Sequence, residues 1–326
     1  MRLAELVAPY DFRVLDVDPP VRAPGEVLVD VEACGVCASE LDSWEGRSDA
    51  ELPRRIGHEV SGVVAEADEG SRFPPGTPVA VWTLGSGYAE QVSAPEDACR
   101  ALGDFPVGLG LLEPVACAVN AVELADVRLA DDVVVVGAGF MGSLVQQLVA
   151  LRGPRSLVVV DRRPDVLALA AQLGATRTVD SRQESAAAVV AALTDGRGAD
   201  VTFEVTGVQG GLDAVTDLTR MSGKVVLVGF HQGAPRTLAL GHWNWMGYDL
   251  RNAHFREPAT IMRGMDVAGR LLAGRRLDLA PLVTHRFPLE RIGEAFATAV
   301  HKPEGFVKAV VTMPRATSPS SAGAPG

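Results

Sequence analysis

A glycine-rich turn between an apolar strand and a helix constrains the fold of this chain more than any other feature. The hexapeptide GAGFMG, residues 137–142, directly follows the run VVVV and opens the helical stretch GSLVQQLVALRG. In such a unit Gly137 makes the tight turn, Gly139 lets the backbone approach a pyrophosphate, and Gly142 permits close helix–strand packing. The helix N-terminus adds unpaired N–H groups and a positive dipole end. The turn therefore predicts a dinucleotide site, and a glycine turn without a ligand is the alternative.

Asp161 lies at the position where a dinucleotide site of this type has a carboxylate. Asp161 ends the next apolar run, LVVVD, about twenty residues after the glycine turn. There it would accept hydrogen bonds from both ribose hydroxyls of an adenosine and would repel a 2′-phosphate, which predicts NAD rather than NADP. Arg162 and Arg163 follow at once and could instead accommodate a phosphate.

Two different patterns divide the chain. From Asp131 onward, all-apolar runs alternate with helical stretches, which predicts an α/β fold with a doubly wound parallel sheet covered on both faces. Before residue 110, short β-branched runs separated by Gly- and Pro-containing turns predict a mixed, barrel-like β domain. The last third, about 256–312, adds two amphipathic helices and a closing strand, and the tail 315–326 is predicted to be disordered. The main segments that read as strands are 26–33, 61–67, 77–83, 133–139, 157–161, 200–207 and 224–230.

Thiol, imidazole and carboxylate side chains form a second constellation. The candidate metal ligands are Cys37, His58, Glu59 and Glu113. These are the ligand types of a catalytic zinc that keeps one position open. Cys34 and Cys37 could instead form a redox pair or half of a structural zinc site, and Cys34 alone is more often a core residue than a ligand. The four residues together indicate a catalytic zinc more strongly than any one of them does alone.

Charge and cysteine content exclude several classes of protein. The chain has 326 residues, with 30 basic and 41 acidic side chains, so its formal net charge is −11. Such a chain lacks the electrostatic footprint expected for nucleic acid or an anionic membrane. The sequence also lacks a long apolar span and a signal-peptide pattern. Its four cysteines suit a reducing interior, so we predict a cytoplasmic location.

Seven motifs in this order resemble the zinc-dependent medium-chain dehydrogenase/reductase superfamily, to which alcohol and sorbitol dehydrogenases belong. They are PGEVLVDVEACGVCASELD, GHEVSGVV, EPVACAVNAV, VVVVGAGFMG, FEVTG, VTHRFPL and IGEAF. The resemblance covers nearly the whole chain, from Met1 to about Met313. It implies a GroES-like β-barrel catalytic domain, residues 1–114 and 256–314, with a Rossmann NAD-binding domain, residues 115–255, inserted between its halves.

The resemblance also implies roles for individual residues. Cys37 and His58 match zinc ligands, and Glu113 matches a ligand position that is glutamate in the sorbitol-like branch. Glu59 matches a carboxylate that binds zinc in some members and only supports the site in others. The positions that match catalytic groups are Ser39, Glu59 and Asp42, with Ser39 as the hydroxyl that passes on the proton and Glu40 as the carboxylate that orients His58. The positions that match cofactor contacts are Gly137, Gly139, Phe140, Met141, Gly142, Asp161, Arg162, Thr206, Phe230 and Lys308.

Several departures from the family pattern limit what the resemblance implies. The structural-zinc lobe expected between residues 83 and 85 is missing, so we expect one zinc per chain. Asp42 stands where many members have the histidine that ends the proton relay. Four tryptophans could line a sugar site or could pack in the core or a subunit interface. They are Trp44, Trp82, Trp243 and Trp245.

The sequence as a whole predicts a zinc-dependent oxidoreductase. It would transfer a hydride between NAD(H) and a small secondary alcohol or ketone, of polyol, sugar or cyclitol type, and would form a homodimer or homotetramer. One alternative is a zinc-free quinone or enoyl reductase of the same superfamily, which usually lacks the cysteine, histidine and glutamate set. Another is a non-catalytic nucleotide-binding protein.

Overall fold

A computed structural model describes residues 1–314, so the tail predicted to be disordered lies outside the described residues. The N-terminal part is mostly β-structure. Its strands are β1 (Arg2–Ala8), β2 (Asp11–Asp16), β3 (Glu26–Gly35), β4 (Glu59–Glu66), β5 (Pro78–Trp82), β6 (Gln91–Pro95) and β7 (Cys99–Ala101). Its helices are α1 (Ala38–Trp44) and α2 (Leu112–Ala125), with short 3₁₀ turns at Glu96–Ala98 and Val107–Leu109.

The middle of the chain alternates strands and helices. The strands are β8 (Asp132–Val136), β9 (Ser156–Asp161), β10 (Arg177–Asp180), β11 (Ala199–Glu204), β12 (Thr219–Leu227) and β13 (Asp249–Asn252). The helices are α3 (Phe140–Ala150), α4 (Pro164–Gln172), α5 (Ala186–Leu193), α6 (Gln209–Leu218) and α7 (Leu240–Met246). The C-terminal part contains α8 (Pro258–Ala273), β14 (Val283–Pro288), a 3₁₀ turn at Leu289–Arg291, α9 (Ile292–His301) and β15 (Lys308–Thr312).

The central strands form a parallel sheet in the order β10-β9-β8-β11-β12-β13. Alternate side chains of a strand point to opposite faces. Accordingly, Val133 and Val135 pack in one core with α2, α3 and α8, whereas Val134 and Val136 pack in another with α5, α6 and α7. Both faces are therefore buried, which is why these strands are continuous apolar runs, and the predicted doubly wound sheet is confirmed.

The remaining strands form a sheet in the order β14-β15-β3-β4-β5-β7, and β6 also pairs with β3. The last strand, β15, pairs antiparallel with β3, with Val310 opposite Gly35. The C-terminal part of the chain thus completes the β-structure that the N-terminal part begins. The domain boundaries at residues 114 and 256 stay predictions.

Three predicted strands end earlier than the sequence suggests: the segments 133–139, 200–207 and 224–230 stop at Val136, Glu204 and Leu227. The apolar run 224–230 continues past Leu227, but β12 stops there. The N–H groups of Val228 and Gly229 both donate to the Glu204 carbonyl, at 2.8 and 2.9 Å, so the chain turns out of the ladder. Phe230 therefore lies in the loop after the strand, at the carboxyl edge of the sheet, where parallel sheets bind ligands.

The helices of residues 1–314 include none that is both long enough and apolar enough to cross a membrane.

Candidate active site

The loop after β3 presents the first two polar groups of the site. Val36 N–H donates to the Ala309 carbonyl at 3.0 Å, which fixes this loop against β15. Cys37 follows in extended conformation, directly before α1. From the second residue of α1, the Ser39 hydroxyl donates to Cys37 Sγ at 3.2 Å. Cys37 and Ser39 therefore lie side by side at the start of α1.

Three of the predicted ligands converge. One potential ligand atom from each of Cys37, His58 and Glu59 lies within 4.8 Å of the others. His58 immediately precedes β4 and Glu59 is its first residue, so sheet pairing with β3 brings them to the Cys37 loop. Sulfur, nitrogen and oxygen donors at this spacing suit zinc. Glu113 lies outside this set of three.

Glu40 stands behind His58, as predicted. Glu40 Oε1 lies 3.1 Å from His58 Nδ1, and the buried carboxylate also accepts from Gly57 N–H and the Tyr88 hydroxyl, each at 2.7 Å. Burial alone would raise the pKa of Glu40, but His58, Tyr88 and Gly57 together lower it. Glu40 is therefore ionised and holds the hydrogen on Nδ1, which leaves Nε2 for a metal.

Glu59 has a counter-ion of its own. Lys308 Nζ lies 2.7 and 2.6 Å from the two oxygens of Glu59 and donates to the Val36 carbonyl at 2.9 Å. Both side chains are buried, with Glu59 1% and Lys308 5% exposed. Burial lowers the pKa of Lys308, but the charges of Glu59 and Cys37 raise it overall, so the ammonium stays charged. A Cβ on Gly35 would overlap Glu59 Oε2, so only glycine leaves room for this pair.

Lys308 also links the ligand cluster to the helix that follows the glycine turn. Its ammonium lies 4.6 Å from the centre of the Phe140 ring, the first residue of α3. The sequence predicted Lys308 as a cofactor contact, and the structure positions it between Glu59 and the start of this helix.

Glu113 is a half-buried residue whose carboxyl group has no salt-bridge partner among residues 1–314. It lies in the first turn of α2, where the Cys117 thiol donates to Oε1 at 3.5 Å. Burial raises the pKa of Glu113 to about 7; the charge of Glu59 adds to the rise, whereas His58, the Cys117 thiol and Lys308 oppose it. Of the two candidate carboxylate ligands, Glu113 is thus the one without an ion-pair partner within residues 1–314. Sequence reasoning missed Cys117, whose signal is its position one helical turn after Glu113.

The glycine turn has the predicted geometry. Gly137 has a φ of +106°, which favours glycine. A Cβ on Gly142 would overlap the Gly137 carbonyl oxygen, whereas a Cβ on Gly139 would meet nothing within 4 Å. Gly142 therefore serves packing, while the space beside Gly139 stays open.

Asp161 closes the other side of this turn. Its carboxylate accepts from the N–H groups of Ala138 at 2.7 Å, Arg162 at 2.7 Å and Arg163 at 2.9 Å. The Arg163 guanidinium donates to the Phe306 carbonyl at 2.8 Å, whereas Arg162 is exposed. Of the two arginines that could accommodate a phosphate, Arg163 is therefore already engaged with the protein.

A second buried carboxylate, Glu204, organises the far end of the predicted cofactor cleft. It is fully buried and accepts from Thr206 N–H at 2.8 Å, from the Thr206 hydroxyl, and from Gly207 N–H at 3.0 Å. Its other oxygen lies 2.8 Å from His231 Nε2. Phe230 is 42% exposed beside this group. Sequence reasoning missed Glu204 as a functional residue, although an acid at the end of an apolar strand was the available signal.

Asp42 and two of the tryptophans have definite positions. Asp42 is buried and forms an ion pair with Arg47. Trp243 lies in the core with its Nε1–H donating to Thr216 Oγ1 at 2.9 Å, whereas Trp245 is 77% exposed. Trp243 thus follows the core alternative, and the structure gives neither side chain a contact with the ligand cluster.

A short connection after β5 takes the place where the structural-zinc lobe was expected. β5 ends at Trp82, and Ala89 already pairs with Leu3. Within residues 1–314, the cluster of Cys37, His58 and Glu59 is the single group of three potential ligands. A parallel nucleotide-binding sheet joined to a β domain with this cluster defines a metal-dependent dehydrogenase.

Family models agree with this class. A model described as alcohol dehydrogenase GroES-like domain matches residues 23–127, and one described as zinc-binding dehydrogenase matches residues 141–265. The chain belongs to the zinc-dependent medium-chain dehydrogenase/reductase superfamily, which confirms the family and the GroES-like fold predicted from the motifs.

Named relatives share most of their length with this chain. It is 30% identical to 2-dehydro-3-deoxy-L-galactonate 5-dehydrogenase of Pseudoalteromonas atlantica, over 95% of this chain and 98% of the relative. It is 29% identical to sorbitol dehydrogenase of Gallus gallus, over 88% and 90%. The structure of a zinc-binding dehydrogenase from Sinorhizobium meliloti bound to NADP superposes with a TM-score of 0.83, at 25% identity over 95% and 98% of the two chains.

The two glycines that follow Gly137 in the turn should respond differently to alanine. We expect Gly142→Ala to lower the free energy of unfolding by about 1–3 kcal/mol, because the new methyl group overlaps the turn. Gly139→Ala should keep its stability but raise the Kd for NADH about tenfold or more, because the methyl group fills the space open to a pyrophosphate. Urea unfolding and NADH fluorescence titration measure both effects. Equal losses of stability in the two variants would contradict the assignment.

The raised pKa of Glu113 predicts a pH-dependent stability of the metal-free enzyme. Between its ordinary pKa of 4.5 and the folded value of about 7, the folded chain retains a proton that the unfolded chain releases. This group therefore reduces stability progressively as the pH rises through that window, and its effect levels off above it. Metal-free Glu113→Gln should be more stable than wild type by up to about 3 kcal/mol at pH ~8, and by much less at pH ~5. Thermal unfolding at both pH values checks this, and a pH-independent difference would contradict it.

Proposed function

We propose that this protein is an NAD-dependent zinc dehydrogenase that interconverts a secondary alcohol and its ketone in a polyol, sugar or cyclitol. The observation that carries the proposal is the convergence of Cys37, His58 and Glu59 beside the Ser39 hydroxyl. The names of the two curated relatives support a polyhydroxylated substrate, since one acts on a deoxygalactonate and the other on sorbitol.

In this proposal Cys37 and His58 hold the zinc together with a carboxylate from Glu59 or Glu113. A zinc ion there supplies Lewis acidity, which lowers the pKa of an alcohol oxygen. The Glu59–Lys308 pair keeps one carboxylate charge balanced within the protein, and Glu113 has no such partner in the described part of the chain. A bound cation should therefore stabilise the charged form of Glu113 more than that of Glu59.

Ser39 is the proposed proton carrier. Its hydroxyl adjoins Cys37 Sγ and lies on the first turn of α1, with Asp42 three residues further along the same helix. A hydroxyl can accept the alcohol proton on one lone pair while donating its own hydrogen onward. Asp42 is proposed as the next group, with Arg47 stabilising its charge.

The proposed cofactor site follows the carboxyl edge of the parallel sheet. Asp161 would bind the adenosine ribose, the glycine turn the pyrophosphate, and the far end of the cleft the nicotinamide. The remaining proposed contacts are Phe140, Met141, Arg162, Thr206, Phe230 and Lys308. The nicotinamide supplies hydride transfer, and the protein supplies orientation and exclusion of water.

The homodimer or homotetramer and the cytoplasmic location predicted from the sequence remain proposals. An exposed sheet edge supports self-association, since β13 is the last strand of the parallel sheet and Leu250 on it is 44% exposed.

A substrate screen tests the proposed function. Zinc-loaded protein should reduce NAD⁺, followed by absorbance of NADH, with at least one secondary alcohol among polyols, cyclitols and sugar alcohols. No turnover with any of these, in either direction, would contradict the proposal.

Metal analysis tests the zinc site. We expect about one zinc per chain, and Cys37→Ala should lose zinc and turnover while remaining folded. Cys99→Ala serves as the control, because this thiol lies in β7 and should leave zinc content unchanged. Two zinc ions per chain, or full activity after complete metal removal, would contradict the assignment.

Cofactor selectivity tests Asp161. Wild type should have a higher kcat/KM with NAD⁺ than with NADP⁺, because the carboxylate repels a 2′-phosphate. Asp161→Asn should lower the ratio of kcat/KM with NAD⁺ to kcat/KM with NADP⁺ about tenfold or more. The amide removes the charge and keeps an oxygen for the backbone N–H groups. Steady-state kinetics with both cofactors measure the ratio, and a wild-type preference for NADP⁺ would refute the role.

The Ser39 hydroxyl is tested by a pair of substitutions. Ser39→Ala should lower kcat about 10²-fold with zinc retained, whereas Ser39→Thr should keep most activity because the hydroxyl remains. If Ser39 only stabilises the turn, stability should fall by about 1 kcal/mol with turnover near wild type. An unchanged kcat for Ser39→Ala across the pH range would show that the proton leaves by another route.

A further inference from the structure

A loop of the nucleotide-binding part reaches across to the helix that carries Ser39. This bridging loop, residues 230–236, follows β12 and leads towards α7. Gln232 Nε2–H donates to the Ser39 carbonyl at 3.1 Å. A Cβ on the next residue, Gly233, would lie 3.9 Å from an oxygen of Asp42, so the loop passes close along α1.

The bridging loop is anchored on the buried carboxylate of Glu204. His231 Nε2 lies 2.8 Å from Glu204, and Arg236 Nε–H donates to His231 Nδ1 at 3.3 Å. Because Nδ1 accepts, the imidazole hydrogen is on Nε2 and is donated to the carboxylate. Both ring nitrogens are thus committed, so His231 serves as an anchor and not as a proton carrier.

Arg236 closes the loop on itself. Its Nη2 donates to the carbonyls of Gly207 and Gln232, each at 3.0 Å, and its Nη1 donates to the Ala234 carbonyl at 2.8 Å. These bonds restrict the backbone on both sides of Gln232. The amide that reaches Ser39 therefore extends from a stiffened loop, and a stiff support transmits position better than a mobile one.

We propose that Gln232 is a positioning residue, which ties α1 to the nucleotide-binding part and so sets where Ser39 stands relative to the cofactor. Glu204 couples this tie to the turn at Thr206 and Gly207. The same carboxylate accepts from Thr206 and Gly207 on one oxygen and binds His231 on the other. The effect on catalysis rests on the proposed function, whereas the tie itself does not.

Hydrogen exchange tests the tie without any substrate. In zinc-loaded full-length protein, Gln232→Glu and Gln232→Ala should speed amide exchange in α1 about fivefold, the effect expected for losing one hydrogen bond. Gln232→Glu is nearly isosteric but replaces the donor by a charged carboxylate oxygen, whereas Gln232→Ala removes the donor without adding charge, so an effect shared by both variants reports the lost hydrogen bond. Gln209→Ala is the matched control, because the Gln209 side chain hydrogen-bonds the same connection at Thr237 instead of α1. Unchanged exchange in both Gln232 variants, or an equal increase in Gln209→Ala, would overturn the proposal.

Kinetics test the consequence for the reaction. With a substrate found in the screen, Gln232→Glu should lower kcat about tenfold or more with little change in zinc content or in the Kd for NADH. Gln232→Lys, which retains an N–H donor of sufficient reach, should recover most of the lost kcat. A loss that appears only in KM, or no rescue by lysine, would refute the positioning role. If wild type oxidises no alcohol, the proposed function fails while the exchange measurement still decides the tie.

Discussion

The buried ion pair between Lys308 and Glu59 is the interaction on which the rest of the site depends. It joins the last strand of the described chain to the first residue of β4, and it adjoins both the Cys37 loop and the Phe140 ring. Two charges removed from water are costly unless each is fully paired, and removing one partner of such a pair typically costs about 3–5 kcal/mol. The pair therefore requires β15 to stay in register with β3, and Gly35 to stay without a side chain.

This ion pair also makes the surroundings of Glu59 different from those of Glu113. Glu59 is balanced by an ammonium from the protein itself, whereas the half-buried Glu113 accepts from the Cys117 thiol at 3.5 Å and forms no ion pair within residues 1–314. A low-dielectric site amplifies that difference, because burial without a nearby cation favours the protonated form of a carboxyl group, whereas a nearby cation favours its charged form. The same residue type is thus neutralised by the protein at one position and, under the proposed function, is available to a bound cation at the other.

Glu204 plays a comparable part at the other end of the cleft. One buried carboxylate orders the turn at Thr206, and through His231 it orders the loop that touches Ser39. Glycines at 211 and 229 leave room for it, since a Cβ at either position would overlap its oxygens. The turn at Thr206 and the helix that carries Ser39 are therefore supported by one shared group.

Local sequence determined much of this protein. The turn at Gly137–Gly142 and the apolar parallel strands follow from patterns read along short stretches, because glycine geometry and strand period act between near neighbours. The pairing of Glu40 with His58, 18 residues apart, was implied by the family resemblance. Only the tertiary structure decided that Lys308 neutralises Glu59, 249 residues away, and that Gln232 reaches Ser39, 193 residues away. Those contacts depend on strand order, register and the early end of β12 at Leu227, which are set by packing of the whole chain and have no counterpart in local spacing.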